Sequence, residues 1–142
     1  MIHDIKQSLL SPEGYEIYSQ CMYAPSYEKF AEKARFYLDD SSTAVYGYYE
    51  NTVLLGVIVL QAKAPNTAEI VGIAVEHTFQ HRHIGKKLIQ HAAAIGRYTE
   101  LYAETDNDAV IFYERCGFET EPFQVIYDGT PCKRYRCTYH LS

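Results

Sequence analysis

Apolar residues keep two rhythms along this chain. Between residues 11 and 40 they recur at helical spacing, and from residue 43 they gather into runs of strand length. "IHDIK" predicts a short first strand. "SPEGYEIYSQCMYAP" predicts a helix with Ser11 as N-cap and Pro12 at its first position, ended by Pro25. "SYEKFAEKARFYLDD" predicts a second helix, capped by Ser26, with Phe30, Ala34, Tyr37 and Leu38 on one apolar face. "TAVYGYYE" and "TVLLGVIVLQAK" then read as two strands turning at Glu50-Asn51. The second is almost wholly apolar, the pattern of a central strand covered on both faces.

"AEIVGIAVE" is a further strand, followed by a helix from about Ile84 to Tyr98 with Ile84, Leu88, Ala92 and Ile95 as its apolar stripe. "ELYAET" is the fifth strand. "NDAVIFYERCGF" is a short helix, its start capped by Asp106 or Asn107 and Gly117 just past its end. The tail reads as two strands around a "DGTP" turn. This order predicts an α/β fold: one domain over residues 1–142, with helices on both faces of a central mixed sheet of about six to seven strands.

Composition narrows the class. Apolar residues make up 47%, enough for a core without staples. The four cysteines include no Cys-x-x-Cys pair, and "MIHDIKQSLL" lacks the long apolar run of a signal peptide. Both facts lead us to expect reduced thiols and a cytoplasmic protein. No run is long and apolar enough for a membrane span, and a net charge of −5 argues against a nucleic-acid partner held by bulk electrostatics. Tyr occurs 14 times and Trp never; a tyrosine suits either a wet pocket or the core.

"HTFQHRHIGKKL" joins an apolar strand to the start of an amphipathic helix. A helix start offers unpaired backbone N–H groups and a partial positive charge, a combination that binds phosphate. Arg82, Lys86 and Lys87 add charge there, and Gly85 permits close approach of the backbone to a ligand. Two other readings of the stretch are a metal site on His77, His81 and His83, and a solvated basic loop. No Asp or Cys stands in a matching register for a metal, so none is expected.

From Ala68 to Leu88 the chain resembles the GNAT superfamily of N-acetyltransferases, which use acetyl-coenzyme A (acetyl-CoA). The family's Gln/Arg-x-x-Gly-x-Gly/Ala loop reads here Gln80-His81-Arg82-His83-Ile84-Gly85, with His83 where the first glycine is usual. "ETDNDAVIFYERCGF" resembles the family's second cofactor segment through Asn107, Ala109, Tyr113, Gly117 and Phe118. The resemblance implies a twisted sheet whose fourth and fifth strands splay apart around the pantetheine arm. It implies that backbone groups of Ile73, Ala74 and Val75 pair with that arm, and that Gln80, His81, Arg82, His83, Ile84, Gly85 and Lys86 wrap the pyrophosphate. Asn107, with Ala109 and Tyr113 on the same segment, would complete the cofactor site.

Acetyl transfer to an amine needs a base, an acid and donors for the carbonyl oxygen. An alkylamine with a pKa near ~10.4 is neutral in only about one molecule in 2,500 at pH 7. Glu69 is the candidate base, a carboxylate in an apolar strand, sharing a face with Val71, Ile73 and Val75 on ideal alternation. The "AEIV" run resembles the histone-acetyltransferase branch, whose catalytic glutamate holds the matching place. The other readings of Glu69 are a solvated strand-end charge, with Glu104 or a chain of waters as the base. Tyr113 is the candidate acid for the departing thiolate, on one helical face with Ala109, Phe112 and Cys116; its other reading is a packed core ring. Cys116 reads as core. The acceptor is expected to be a small-molecule or peptide amine, held by an aromatic wall of Tyr23, Tyr27, Phe123 and Tyr127 with Glu28 and Asp128 nearby. The exposed last strands permit a homodimer. A coenzyme-A-binding sensor without turnover is the alternative function.

Overall fold

Residues 1–141 are described by the structure, a computed structural model. In chain order the strands are β1 (Ile2–Asp4), β2 (Thr43–Glu50), β3 (Val53–Ala64), β4 (Thr67–Val75), β5 (Glu100–Thr105), β6 (Glu119–Tyr127) and β7 (Thr130–His140). The helices are α1 (Pro12–Tyr18), α2 (Tyr27–Asp39), α3 (Ile84–Gly96) and α4 (Val110–Arg115). The seven strands form one mixed sheet in the order β1-β2-β3-β4-β5-β7-β6, antiparallel except for β4 against β5.

Alternation along β3 explains the two-layer cover. Val57 and Val59 point into one apolar cluster with Ile17, Tyr18, Phe30 and Tyr37 of α1 and α2. Ile58 and Leu60 point into the other, with Ile84, Leu88 and Ala92 of α3 and Val110 and Tyr113 of α4. Residues 54–60 are all buried, as a strand apolar on both sides requires.

The caps follow the expected chemistry. Ser11 Oγ accepts from the Gly14 amide at 2.9 Å and Ser26 Oγ from Lys29 at 3.2 Å. Asp128 and Gly129 both take positive φ, at 49° and 78°, as a two-residue turn between twisted strands demands. Several boundaries differ from expectation. α1 stops at Tyr18 and runs into a 3₁₀ turn over Ser19–Cys21, well before Pro25. Glu50 still pairs with Val53, so the first hairpin turns at Asn51-Thr52, with Asn51 in the left-handed region. α3 ends at Gly96, with Arg97 left-handed. Ile95 is 60% exposed, because the buried face turns through Gly85, Ile89 and Ala93 as well as Leu88. Leu38, in the last turn of α2, is also exposed.

Tyr18 and Tyr37 share a buried hydroxyl–hydroxyl hydrogen bond of 3.1 Å. Burial pushes both phenols above their usual value, Tyr18 strongly. A raised folded-state value means their contribution to stability is complete below the ordinary phenol pKa of ~10 and is lost as pH climbs beyond it. Thermal melts should therefore be flat in this respect at neutral pH and fall steeply above about pH 10. Tyr18→Phe should blunt that alkaline fall.

Candidate functional site

The site begins with a bulge in β4. Val59 of β3 faces Gly72 and Leu60 faces Ile70, so Val71 is an extra residue. A bulge bends its strand and sharpens the twist. β4 and β5 accordingly pair only over Thr67–Glu69 against Glu100–Tyr102 and then diverge. Beyond that point β4, from Ile70 to Val75, has no strand partner on its β5 side, so Ile73, Ala74 and Val75 border an open gap.

The extra residue also corrects the placement of Glu69. Ala68, Ile70, Ile73 and Val75 belong to the layer under α3 and α4, and Val71 and Ala74 to the layer under α1. Glu69 therefore shares a face with Val71 and Ala74, not with Ile73 and Val75 as ideal alternation predicts. It lies opposite Gln61 on one side and Tyr102 on the other. Its side chain is 25% exposed and pairs with Lys63 at 3.5 Å.

Tyr113 stands on α4 in the apolar cluster that holds Ile70 of β4 and Leu101 of β5. Its ring is buried between Phe112 and Phe118, with edge contacts of 5.2 Å to each. Desolvation holds its phenol well above the ordinary range, with further upward pushes from Cys137, Cys21 and Cys116. No hydrogen bond holds its hydroxyl among the described residues, yet no sealed side-chain oxygen is without a partner, so this oxygen keeps access to space. Tyr18 and Cys21 come from the opposite layer and still sense Tyr113 electrostatically. Cys21 is exposed as a residue, but its sulfur turns in toward the Tyr18 carbonyl at 3.2 Å, and burial pushes the thiol up to about 11.

The second element is the link into α3. His77–Arg82 forms a 3₁₀ turn, and His83 then sits at φ 60°, ψ 23°. This left-handed conformation explains why a glycine is usual there; with a Cβ it costs roughly 1–2 kcal/mol. No side chain caps α3, whose first hydrogen bond runs from the Lys87 amide to the His83 carbonyl at 3.0 Å. The amides of Ile84, Gly85 and Lys86 are thus left unpaired among the described residues, which suits a diphosphate. Lys86 and Lys87 are exposed beside them, with Lys87 over the Tyr48 ring at 5.7 Å.

Several predicted cradle residues have other partners. Gly85 is buried, and a Cβ there would stand 2.8 Å from two ring carbons of Phe112; the glycine admits α4 rather than a ligand. Gln80 Nε2 donates to the Val75 carbonyl at 3.3 Å. The Arg82 guanidinium lies over Phe79 and grips the Glu50 carboxylate at 2.9 and 2.6 Å. Glu50 ends β2, so this ion pair ties the loop to the first hairpin. Glu50→Gln should weaken coenzyme-A binding about two- to fivefold by calorimetry, the scale of a half-exposed pair, with Arg82→Gln adding little on top. His81 and His83 are exposed, and no group of three His, Cys, Asp or Glu side chains is placed to hold a metal among the described residues.

Asp106 rather than Asn107 closes the turn leading into α4: its Oδ1 accepts from the amides of Asp108 and Ala109 at 3.0 and 3.1 Å, while Ala109, at the N-cap position, brings no side-chain cap. Asn107 is exposed and Ala109 half-buried at the helix start. Cys116 packs against the core as expected. The expected aromatic wall is not assembled. Tyr27 packs on Tyr15 and Phe30, Tyr23 is 96% exposed, and Tyr127 flanks the hairpin turn. Phe123 lines a cavity with Glu104, Glu121, Pro122 and Arg136. Glu50, Tyr18, Cys21, Glu121 and Arg136 escaped the sequence reading as site residues, since each matters through a partner remote in sequence.

A mixed sheet splayed between two parallel strands, beside a helix with free first amides, is the frame expected of an acetyl-CoA-dependent acetyltransferase. The chain belongs to the acetyltransferase (GNAT) family, whose sequence model matches residues 8–118. It is 34% identical over 83 residues to the uncharacterized N-acetyltransferase YvbK of Bacillus subtilis; the match covers 54% of this chain and 53% of that protein, so it spans about half the relative's length. Among solved structures it is similar to a GNAT family acetyltransferase from Elizabethkingia anophelis with acetyl-CoA bound. There the TM-score is 0.71 at 24% identity, over 99% of this chain and 97% of that one. It is also similar to the ribosomal-protein-S18-alanine N-acetyltransferase of Escherichia coli, with TM-score 0.74 at 18% identity, over 100% and 94%. These likenesses show the fold. No helix among the described residues is long and apolar enough to cross a membrane.

Proposed function

We propose that the chain is an N-acetyltransferase that moves an acetyl group from acetyl-CoA to a primary amine of a small molecule or peptide, by direct transfer in a ternary complex. The observation that carries this reading is the gap between β4 and β5, opening beside the free amides of α3, with Tyr113 in the apolar cluster beneath those strands. The residues fit the co-substrate. Ile84 to Lys86 offer backbone donors to a diphosphate, and the free edge of β4 at Ile73 to Val75 offers amide groups to an extended pantetheine chain.

Acetyl-CoA supplies the acetyl group already activated as a thioester. This chain's residues then have three tasks. Backbone donors on the bulged β4 edge hold the carbonyl oxygen as it gains charge. Tyr113 keeps its proton at neutral pH, because burial holds its phenol high, and donates it to the leaving sulfur. The amine approaches from the face that carries Glu69, our candidate base, with Glu104 and ordered water as its rivals. Asn107 and the exposed His81 and His83 flank the entry of the co-substrate.

The test is thiol release from acetyl-CoA across polyamines, amino acids, aminoglycosides and lysine peptides. Turnover with at least one amine is the expected result. Binding of acetyl-CoA without turnover on any amine would favour a sensor of the coenzyme instead.

A further inference from the structure

The ladder between β3 and β4 fixes which backbone groups face the gap. The Glu76 amide donates to the Leu55 carbonyl at 2.8 Å, so these two form a hydrogen-bonded pair of an antiparallel ladder. Such pairs alternate with unbonded ones. In this register Val57 bonds with Ala74 and Val59 with Gly72, while Ile73 and Val75 stand at the unbonded positions opposite Ile58 and Gly56. Ile73 and Val75 therefore turn their N–H and C=O groups away from β3, toward the gap. The Val75 carbonyl already accepts from Gln80 Nε2 at 3.3 Å.

The Ile73 amide faces the Cys21 sulfur. The 3₁₀ turn that ends in Cys21 packs on β4, one turn beyond Tyr18. The Tyr18 hydroxyl fills the space that a Cβ of Gly72 would take, and Cys21 comes in beside the next residue of the strand. Donation to the Tyr18 carbonyl at 3.2 Å holds the sulfur in place. Burial raises the thiol's pKa, and the Ile73 N–H pointing at the sulfur pulls it partly back. Cys21 is nonetheless exposed as a residue. Protein lies on one side of its sulfur and open space on the other, as at the wall of a pocket.

The amides that open α3 follow the Val75 end of β4 in the chain, so a diphosphate held there puts the thioester deeper, toward Ile73. We infer that Cys21 sets the length of the acyl group the chain accepts: its sulfur closes the space beside the Ile73 amide, so that acetyl fits and propionyl does not. This rests on the proposed use of acetyl-CoA and adds the donor's specificity to it. A sulfur is comparable in bulk to a methylene, so trimming Cys21 to alanine makes room for one more carbon. The thiol keeps its proton at neutral pH and acts as a wall, not as a nucleophile.

The experiment titrates acetyl-, propionyl- and butyryl-CoA into the full chain by calorimetry, a readout that needs no acceptor amine. The wild-type chain should bind propionyl-CoA about tenfold or more weakly than acetyl-CoA, and butyryl-CoA more weakly still. Cys21→Ala should bring propionyl-CoA level with acetyl-CoA and leave butyryl-CoA behind. Cys21→Ser, of nearly the same bulk and still a donor, should keep the order of the wild type. Should Cys21→Ala melt lower than the wild type, Cys21→Val carries the test in the opposite direction: its added carbon should weaken acetyl-CoA binding about tenfold. Equal or reversed affinities in the wild type, an order untouched by Cys21→Ala at an unchanged melt, or acetyl-CoA binding untouched by Cys21→Val would overturn the inference and leave acetyl transfer standing. The expected order of affinities without turnover on any amine would support the inference and overturn the transfer. No binding of any of the three thioesters would overturn both.

Discussion

Tyr113→Phe will lower kcat by roughly 10²–10⁴ and leave acetyl-CoA affinity unchanged, the cost of removing a positioned general acid. The ring should not move. It is wedged between Phe112 and Phe118 and buried to 5% exposure, and the substitution removes one oxygen that has no hydrogen-bond partner among the described residues. Folding stability should accordingly be unchanged or slightly higher. The loss falls on the leaving sulfur, so acyl donors with a better leaving thiol should recover part of the rate. Because the phenol is held well above its ordinary value, the wild-type alkaline limb should not report Tyr113 near pH 10. Equal rates for Tyr113→Phe and wild type would remove the acid from the scheme.

Gly72→Ala should cost the fold about 1–3 kcal/mol, the scale of overpacking a filled core, and abolish coenzyme-A binding along with it. A Cβ at this position would overlap the Tyr18 hydroxyl and stand 2.6 Å from Tyr18 Cζ. Tyr18 cannot swing aside cheaply. It is 2% exposed, packs edge-on to Tyr37 and bonds to the Tyr37 hydroxyl. The strain would therefore pass into β4 at its bulge, the feature that opens the gap. A lowered melting temperature with lost binding is the expected pair of results. An unaltered melt would mean that Tyr18 relaxes freely.

The elements themselves were legible because burial on two faces writes itself into the sequence. β3 reads as an unbroken apolar run, and α3 carries a stripe that only one face of a helix explains. The strand-to-helix loop and the Asn107-to-Phe118 segment were legible as motifs. The bulge was not. Val71 and Gly72 are as apolar as their neighbours, so an extra residue leaves no break in the pattern, yet it moves Glu69 off the face of Ile73. Arg82 looked like a phosphate ligand because nothing local shows Glu50, 32 residues earlier, in contact with it. Gly85 looked like a glycine kept for a ligand, whereas Phe112 fills its space. The aromatic wall failed for the same reason: Tyr27 satisfies its ring against Tyr15 and Phe30 inside its own layer.

Titration calorimetry of the full chain with acetyl-CoA tests the central claim, that the free amides of α3 and the open edge of β4 form one binding surface. The account predicts one molecule bound per chain, far tighter than adenosine monophosphate, which lacks the diphosphate and the pantetheine arm. No heat of binding at a concentration of about 1 mM, where even a weak site of ~4 kcal/mol would half fill, would contradict it.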